Sequence, residues 1–215
     1  MKKLISIMAL ICAFIAAPNF CAAQTLSKSD SKAIEKDVKK RCKELKKQKW
    51  EPLASTSTME YSMTKYRKYL AADEENRIPI TGIAQGKNNK IGRENAVNNG
   101  ISNYAQRAAA HIVGKLKSVM SSDGHNVSSE DIDKFGAAYQ AAVNTKLSGL
   151  VKEHFALYRT GKDGMKEYNV FMSLDETQAR KAREEANKLA AEQARLDQIS
   201  KMADDFIGET VEGEE

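Results

Sequence analysis

The stretch "RIPITGIAQGKNNKIGRENAVNNGISNYAQRAAAHIVGKL", residues 77–116, decides the fold of this chain. In its first part Ile78 and Ile80 alternate with polar or small residues, and the apolar pattern continues to Ile83. Such alternation beside glycines is typical of a β-strand, which we expect over 77–86. The composition of "KNNKIGREN" then indicates a turn.

From about Gly92 the period of the apolar residues becomes helical, over about 28 residues. One side of this helix carries Val97, Ile101, Tyr104, Ala105, Ala108, Ile112, Leu116 and Val119. The same side also carries small residues, namely Ala96, Gly100, Ala105, Ala108 and Ala109. Small side chains let a helix lie close to a flat partner, so we expect this helix to pack on a sheet.

The glycines of the turn also raise the question of a phosphate-binding loop. A Walker loop needs G-x-x-x-x-G-K followed by Ser or Thr, whose hydroxyl binds magnesium. Here Gly82, Gly86 and Lys87 give a spacing one residue short, and Asn88 stands where the hydroxyl should be. The dinucleotide pattern G-x-G-x-x-G is absent. The sequence therefore predicts a structural turn, and we expect no cofactor.

Two helices are expected before the strand. Ser29 or Ser31 can cap a first helix reaching about Lys49, and Pro52 disfavours its continuation. A second helix is expected at 57–72. Their apolar faces consist of Ile34, Val38, Cys42 and Leu45 in the first helix and Met59, Met63, Tyr66 and Leu70 in the second.

Beyond the long helix, "SSED" at 128–131 resembles a capping box and opens a further helix. The segments "LVKEHFALYR" and "MKEYNVFMSL" flank the turn "TGKDG", which predicts an antiparallel hairpin over 150–174. Alternation in the second arm directs one face to the core and the other to solvent, with Phe171 as the exception on the solvent side.

A final charged helix is expected from Asp175 to about Phe206, with a weak heptad-like spacing of alanine and leucine that suggests a coiled coil. A helix of about 30 residues is about 45 Å long, so we expect its far half to leave the core. That half is a candidate for partner contact, and a solvated helical tail is the alternative.

These elements predict an α+β fold. A small antiparallel-containing sheet, made of strand 77–86 and hairpin 150–174, is packed on one face by long helices, with N-terminal and long C-terminal helices appended. The expected organisation is a signal peptide at 1–23, a basic helical region at 24–76, an α+β domain at 77–182, and a charged helix with an acidic tail at 183–215.

The N-terminus has the features of a secretory signal peptide. Lys2 and Lys3 precede an apolar stretch from Leu4 to Ala17, and "CAAQ" offers a cut between Ala23 and Gln24. The apolar stretch is shorter than the ~20 residues that a membrane-spanning helix needs. We therefore expect an exported protein, in the periplasm or associated with the outer membrane of a Gram-negative bacterium.

Cysteine usage agrees with export. Lipid attachment at Cys21 is an alternative, although its preceding residues fit that processing poorly, and Cys12 fits no better. Cutting after Ala23 leaves Cys42 as the only cysteine, which cannot form an internal disulfide or a multi-thiolate metal site. Its place on a helical face indicates a buried bystander.

Charge is distributed unevenly along the chain. The formal net charge of +5 falls to +3 once the leader is removed, but residues 24–50 carry ten Lys/Arg against four Asp/Glu. Residues 201–215 carry one Lys against six acids. Aromatic residues are scarce among the basic ones, so no nucleic-acid partner is expected. Peripheral binding of anionic lipid or cell-wall polymer by the 39–49 run is an alternative, and would weaken with salt.

Catalytic and metal-binding patterns are not found. The three histidines, His111, His125 and His154, show no i, i+4 pairing, and H-E-x-x-H and G-x-S-x-G are absent. By alternation His154 is expected at a surface or edge, opposite Phe155. We therefore assign no catalytic, cofactor-binding or metal residues, while a hydrolase with carboxylates assembled by the fold stays open as an alternative.

Several segments together resemble the Lpp-twenty lipoprotein family of bacterial envelope proteins and, distantly, the N-terminal domain of flagellar assembly protein T. They are "GIAQG" at 82–86, "ENAVNNGISNYAQRAAAHIVGKL" at 94–116, "LSGLVKEHFALYR" at 147–159, "EYNVFMSLD" at 167–175 and "KELKKQKW" at 43–50. The resemblance implies an α+β domain, an envelope location and no established catalytic residues. The chain departs from the family in lacking a convincing lipid-attachment cysteine.

The sequence thus predicts an exported envelope protein of non-enzymatic interaction or scaffolding type. Its partner would be another envelope protein or a cell-surface component, contacted by the far half of the final helix, at 195–215.

Overall fold

The computed structural model describes residues 26–123, 127–161, 164–194 and 197–211. Within these ranges the helices are α1 (Lys28–Lys47), α2 (Met59–Ala71), α3 (Asn89–Asp123), α4 (Ser129–Leu147), α5 (Glu176–Ala194) and α6 (Asp197–Ile207). The strands are β1 (Glu51–Pro52), β2 (Arg77–Gly86), β3 (Lys152–Thr160) and β4 (Lys166–Asp175). The expected signal peptide, Cys12, Cys21 and His125 lie outside the described residues.

The strands form one antiparallel sheet in the order β1-β3-β4-β2. The strand expected at 77–86 and the hairpin expected at 150–174 are both confirmed, and so is the α+β class. β1 was not expected; it is a two-residue strand beside Leu157 and Tyr158, formed directly after α1 ends. The sheet thus has β2 as one edge and the short β1 at the other.

Helix α3 lies against β2 at backbone contact distance. A methyl group on Gly82 would overlap the carbonyl oxygen of Ala96, and one on Gly86 would overlap the Cα atom of Gly92. A Cβ on Gly100 would lie 2.6 Å from the Met172 side chain. Glycine is therefore required on both elements for this approach, and the expectation that small residues seat the helix on a sheet is confirmed.

The turn between them serves to start the helix. We expected α3 to begin near Gly92, but it begins at Asn89. The Asn88 side-chain oxygen accepts a hydrogen bond from the Ile91 N–H at 3.0 Å, which satisfies one of the amides left open at a helix start.

One face of the sheet is covered by α3, α4, α5 and α6, which enclose the larger core. The β4 side chains expected in that core, Tyr168, Val170, Met172 and Leu174, are all buried there. The capping box of α4 is present, since Ser128 Oγ accepts from the Asp131 N–H at 3.1 Å.

The opposite face is also covered, so the expectation of helices on one face only is wrong. α1 and α2 pack there over a second core that includes Phe171, Leu157 and Trp50. Phe171 stacks on Phe155 with ring centroids 4.4 Å apart, and the Tyr66 hydroxyl donates to the Met172 carbonyl at 2.9 Å. A strand buried on both faces reads as a continuous apolar run, which explains the apparent exception of Phe171.

The C-terminal region folds back instead of leaving the core, so the expectation of an extended helix is wrong. Helix α6 returns along α5, and Ile199, Ala203 and Ile207 are buried in the larger core. The guanidinium of Arg183, 1% exposed, joins the two helices by donating to the Glu176 carboxylate at 2.7 Å and to the Ile207 carbonyl at 3.3 Å. Of the segment expected to bind a partner, the described residues 197–211 therefore pack against the folded core.

We expect Gly82→Ala to lower the free energy of unfolding by about 2–3 kcal/mol, because the new methyl group overpacks against the α3 backbone. Gly114→Ala is the matched control: the same addition to α3 meets no atom within 4 Å. It should be neutral or stabilise the protein by up to about 1 kcal/mol through helix propensity. Urea denaturation measures both, and equal effects of the two substitutions would contradict the packing requirement.

Candidate functional site: a groove beside the edge strand

Helix α1 runs beside β2 and leaves three cavities between them. Each contains one residue from the same face of β2: Pro79 lines a cavity of about 820 Å³ near the start of α1, Thr81 lines one of about 290 Å³, and Gln85 lines one of about 630 Å³ near its end. Ile83, between Thr81 and Gln85, lines none of the three. Six residues of strand span about 20 Å. We call this row of cavities the α1–β2 groove.

The middle of the groove has an apolar floor and charged walls. The floor is made by the buried side chains of Val38, Met63, Tyr66 and Phe171. Two ion pairs stand at the rim, Arg67 with Asp37 at 3.5 Å and Arg41 with Glu44 at 3.7 Å. An occupant would therefore contact an apolar surface below and both signs of charge above.

The two ends of the groove differ in their balance of charge. The wide end near the start of α1 combines apolar side chains with two acidic and two basic residues, Asp30, Glu74, Arg67 and Arg77. The other end presents Lys47, Lys49 and Arg159. Arg159 already pairs with Glu167 at 2.5 Å and covers the Trp50 ring at 4.6 Å, so the two lysines supply the surplus positive charge there.

Along β2 the backbone N–H and C=O groups of odd-numbered residues point away from β4, toward the open edge of the sheet. The Arg77 N–H donates in that direction to the Asp73 carbonyl, whereas the carbonyl of Asn76, one residue earlier, accepts from the Glu176 N–H on the β4 side. Pro79, which has no N–H to offer, occupies one outward position. A proline at such a position is a device of edge strands.

Two asparagines of α3 cover two outward carbonyls near the end of this edge. Asn99 Nδ2 donates to the Ile83 carbonyl at 2.9 Å, and Asn95 Nδ2 donates to the Gln85 carbonyl at 3.2 Å. The side-chain amides thus take the place that the N–H groups of an added strand would fill. Recognition in the groove consequently depends on side chains rather than on strand addition.

A buried acceptor lies on the same face of the sheet. Asn169 stands on β4 between Phe171 and Glu167, which line the middle and end cavities. Its side chain is 8% exposed, and its Oδ1 accepts no hydrogen bond from the described residues. A buried acceptor without a donor costs about 1–3 kcal/mol. Asn169 lines none of the three cavities, so this cost falls on the fold and does not describe an occupant of the groove.

The outer face of α1 carries a row of lysines. They are Lys32, Lys36, Lys39, Lys43 and Lys47, at spacings of 4, 3, 4 and 4 residues, and all are exposed. At 3.6 residues per turn this spacing places them within about 80° of one another. They form no ion pair within the described part of the chain. We call this row the lysine stripe; the acidic residues of the groove rim lie on another side of the helix.

The structure corrects the position expected for His154. A bulge between Glu153 and Phe155 interrupts the alternation of β3, so His154 and Phe155 both turn toward α2. The imidazole lies 5.0 Å from the Tyr66 ring and 4.7 Å from the Tyr69 ring. Alternation fails as a guide at a bulge, and no sequence signal marks this one.

His154 Nε2 is 2.8 Å from the Ser173 hydroxyl oxygen, a pair that the sequence did not predict. Burial, and secondarily the charge of Lys152, lower the pKa of His154 to about 4. The imidazole is therefore a neutral potential base at pH 7. Ser173 is only 2% exposed, which restricts the approach of a substrate to its oxygen.

The other residues singled out from the sequence do not converge. His111 Nε2 lies 2.8 Å from Glu209 Oε2 on the opposite side of the sheet, where Lys115 also holds the pKa of that carboxyl below its usual range. Cys42 is fully buried, as expected, and burial raises the pKa of its thiol.

Across the described ranges, no group of three or more His, Cys, Asp or Glu residues is placed to hold a metal ion. None of the described helices combines the length and the apolar character needed to cross a membrane.

Comparisons with protein-family models, with curated proteins and with solved structures found no match to this chain.

The environment of His154 predicts a pH dependence of stability. Between pH 6.5 and about 4 the unfolded state binds a proton that the folded state does not, so stability falls as pH decreases through this window and the effect is absent above it. Since the ring is only half-buried, we discount the loss to about 1–2 kcal/mol.

The proton resonances of the His154 imidazole should titrate with a midpoint near 4. His154→Gln should remove the additional loss of stability, measured by urea denaturation at pH 7, 5.5 and 4.5. A midpoint near 6.5 would show that the ring is not shielded as described.

Proposed function

We propose that this protein is an exported component of the bacterial envelope that acts by binding a partner and not by catalysis. The observation that carries the proposal is the α1–β2 groove. Its three cavities follow about 20 Å of strand. This length suits an extended chain, whereas a compact cavity would suit one small molecule. Its shape fits an extended partner, such as a chain segment of another envelope protein.

The chemistry of the groove indicates the character of that partner. The wide end offers apolar side chains among both signs of charge, the rim offers both signs as well, and Lys47 and Lys49 favour acidic groups at the other end. An extended polypeptide segment with mixed apolar and charged residues at one end and acidic residues at the other satisfies these conditions.

Export and location in the periplasm or at the outer membrane belong to this proposal. The support is the signal-peptide pattern of residues 1–23, together with the resemblance of 82–175 to the Lpp-twenty family. The α+β architecture is compatible with that resemblance. The resemblance implies no established catalytic residue, in keeping with an interaction or scaffolding role.

A photo-crosslinking residue at Gln85, which is exposed inside the groove, tests the proposal in native envelopes. We expect a discrete cross-linked product. Thr81→Trp, which fills the middle cavity, should reduce that product by at least about fivefold, corresponding to the loss of about 1 kcal/mol of binding. The matched control is Thr145→Trp on the exposed side of α4, which should leave it unchanged.

A second crosslinker at Lys134 on α4 controls for nonspecific capture. Identical products from Gln85 and Lys134, or products from Gln85 that persist in Thr81→Trp, would reject the groove as the binding site.

A hydrolase is the second candidate, and the His154–Ser173 pair is the observation that favours it. The imidazole is neutral at pH 7 and lies within hydrogen-bond distance of the hydroxyl. A screen of ester, glycoside and phosphate substrates decides between the two functions. Turnover that is abolished by His154→Gln and by Ser173→Ala would favour the enzyme.

A further inference from the structure

The lysine stripe is a second feature of α1, and of its five lysines only Lys47 also lines the groove. Its five side chains follow one line over 15 residues, about 22 Å of helix. The buried side of α1, with Val38, Cys42 and Leu45, faces the second core between α2 and the sheet. The stripe therefore projects from the protein.

The acidic residues of α1 compensate the stripe only in part. Glu35, the nearest, pairs with Lys68 at 2.7 Å, and the pKa of its carboxyl is held below its usual value mainly by Lys68 and to a smaller extent by Lys39 of the stripe. Asp37 pairs with Arg67, and Glu44 with Arg41. The positive charge of the stripe is thus available to an external anion.

We propose that the lysine stripe docks the protein on a membrane surface rich in anionic lipid, with α1 parallel to the bilayer plane. A plane of phosphate groups can contact all five ammonium groups of a straight row at once. Apart from Lys47, the stripe lines none of the groove cavities. It consists of lysines only, which act as point charges, whereas a site for one defined phosphate commonly uses the fork of an arginine. These features favour a surface over a single ligand.

Docking of this kind is electrostatic and involves no insertion. An interfacial helix that inserts does so with its apolar face, but here that face is taken by the sheet and by α2. The wide and middle cavities of the groove are lined by no stripe lysine, so a docked molecule would keep them open to a partner. The inference does not require the proposed groove function, although the two surfaces share Lys47.

Sedimentation with vesicles tests the inference, using the chain from Gln24 onward, which retains every described residue. Binding is expected to vesicles with about one-third phosphatidylglycerol and not to pure phosphatidylcholine.

Each lysine near an anionic surface contributes about a fivefold gain in partitioning. Replacing all five by Gln should therefore lower the partition coefficient by at least about 100-fold, allowing for non-additivity. Raising salt from about 50 to 300 mM should lower it by about tenfold or more.

The matched control changes five other exposed lysines to Gln, with the same change in net charge: Lys87, Lys90, Lys181, Lys188 and Lys201. It should retain most of the binding, and circular dichroism should show that both variants are folded. Equal losses in the two variants would overturn the inference, as would binding to a soluble polyanion without binding to vesicles. Thr81→Trp should bind vesicles like the wild type. The two proposals can therefore fail separately, since partner cross-linking reports on the groove and vesicle sedimentation reports on the stripe.

Discussion

The contact between the glycines of β2 and the first half of α3 is the constraint on which the rest of the structure depends. Gly82 and Gly86 meet the backbone of α3 at Ala96 and Gly92, so the helix lies directly on the edge strand. From that position α3 supports α4 and α6 on its other sides. The same proximity lets Asn95 and Asn99 reach the outward carbonyls of β2. One close approach thus organises the larger core and covers part of the edge.

The groove follows from how the second face of the sheet is covered. α2 is fixed to the middle of the sheet through Tyr66 and its aromatic neighbours, and α1 packs mainly against α2. α1 therefore stands beside β2 without filling the space above Pro79, Thr81 and Gln85. A helix held in this way can present one side to the groove and another, the lysine stripe, to the surroundings.

The sequence predicted the features that depend on local signals. β2 and the hairpin were found by alternation and turn residues, and the caps of α4 and the small residues of α3 had direct signatures. The bulge at His154, the reversal after α5 and the second layer depend on contacts between distant residues, such as Arg183 with the carbonyl of Ile207. Phe171, an apolar residue on the predicted solvent face, was the sequence feature that indicated the covering of that face by α1 and α2. The lysines were recognised as a run, but their position relative to the groove required knowing which side of α1 is buried.

Native-state hydrogen exchange tests the central claim most directly. If the glycine contact joins α3 to the sheet, the amides of β2, of β4 and of α3 from Gly92 to Leu116 should open together, with the free energy of global unfolding, and should be the slowest in the protein. If α3 exchanges much faster than the strands, through an opening of its own, the sheet holds together without it and the account is wrong.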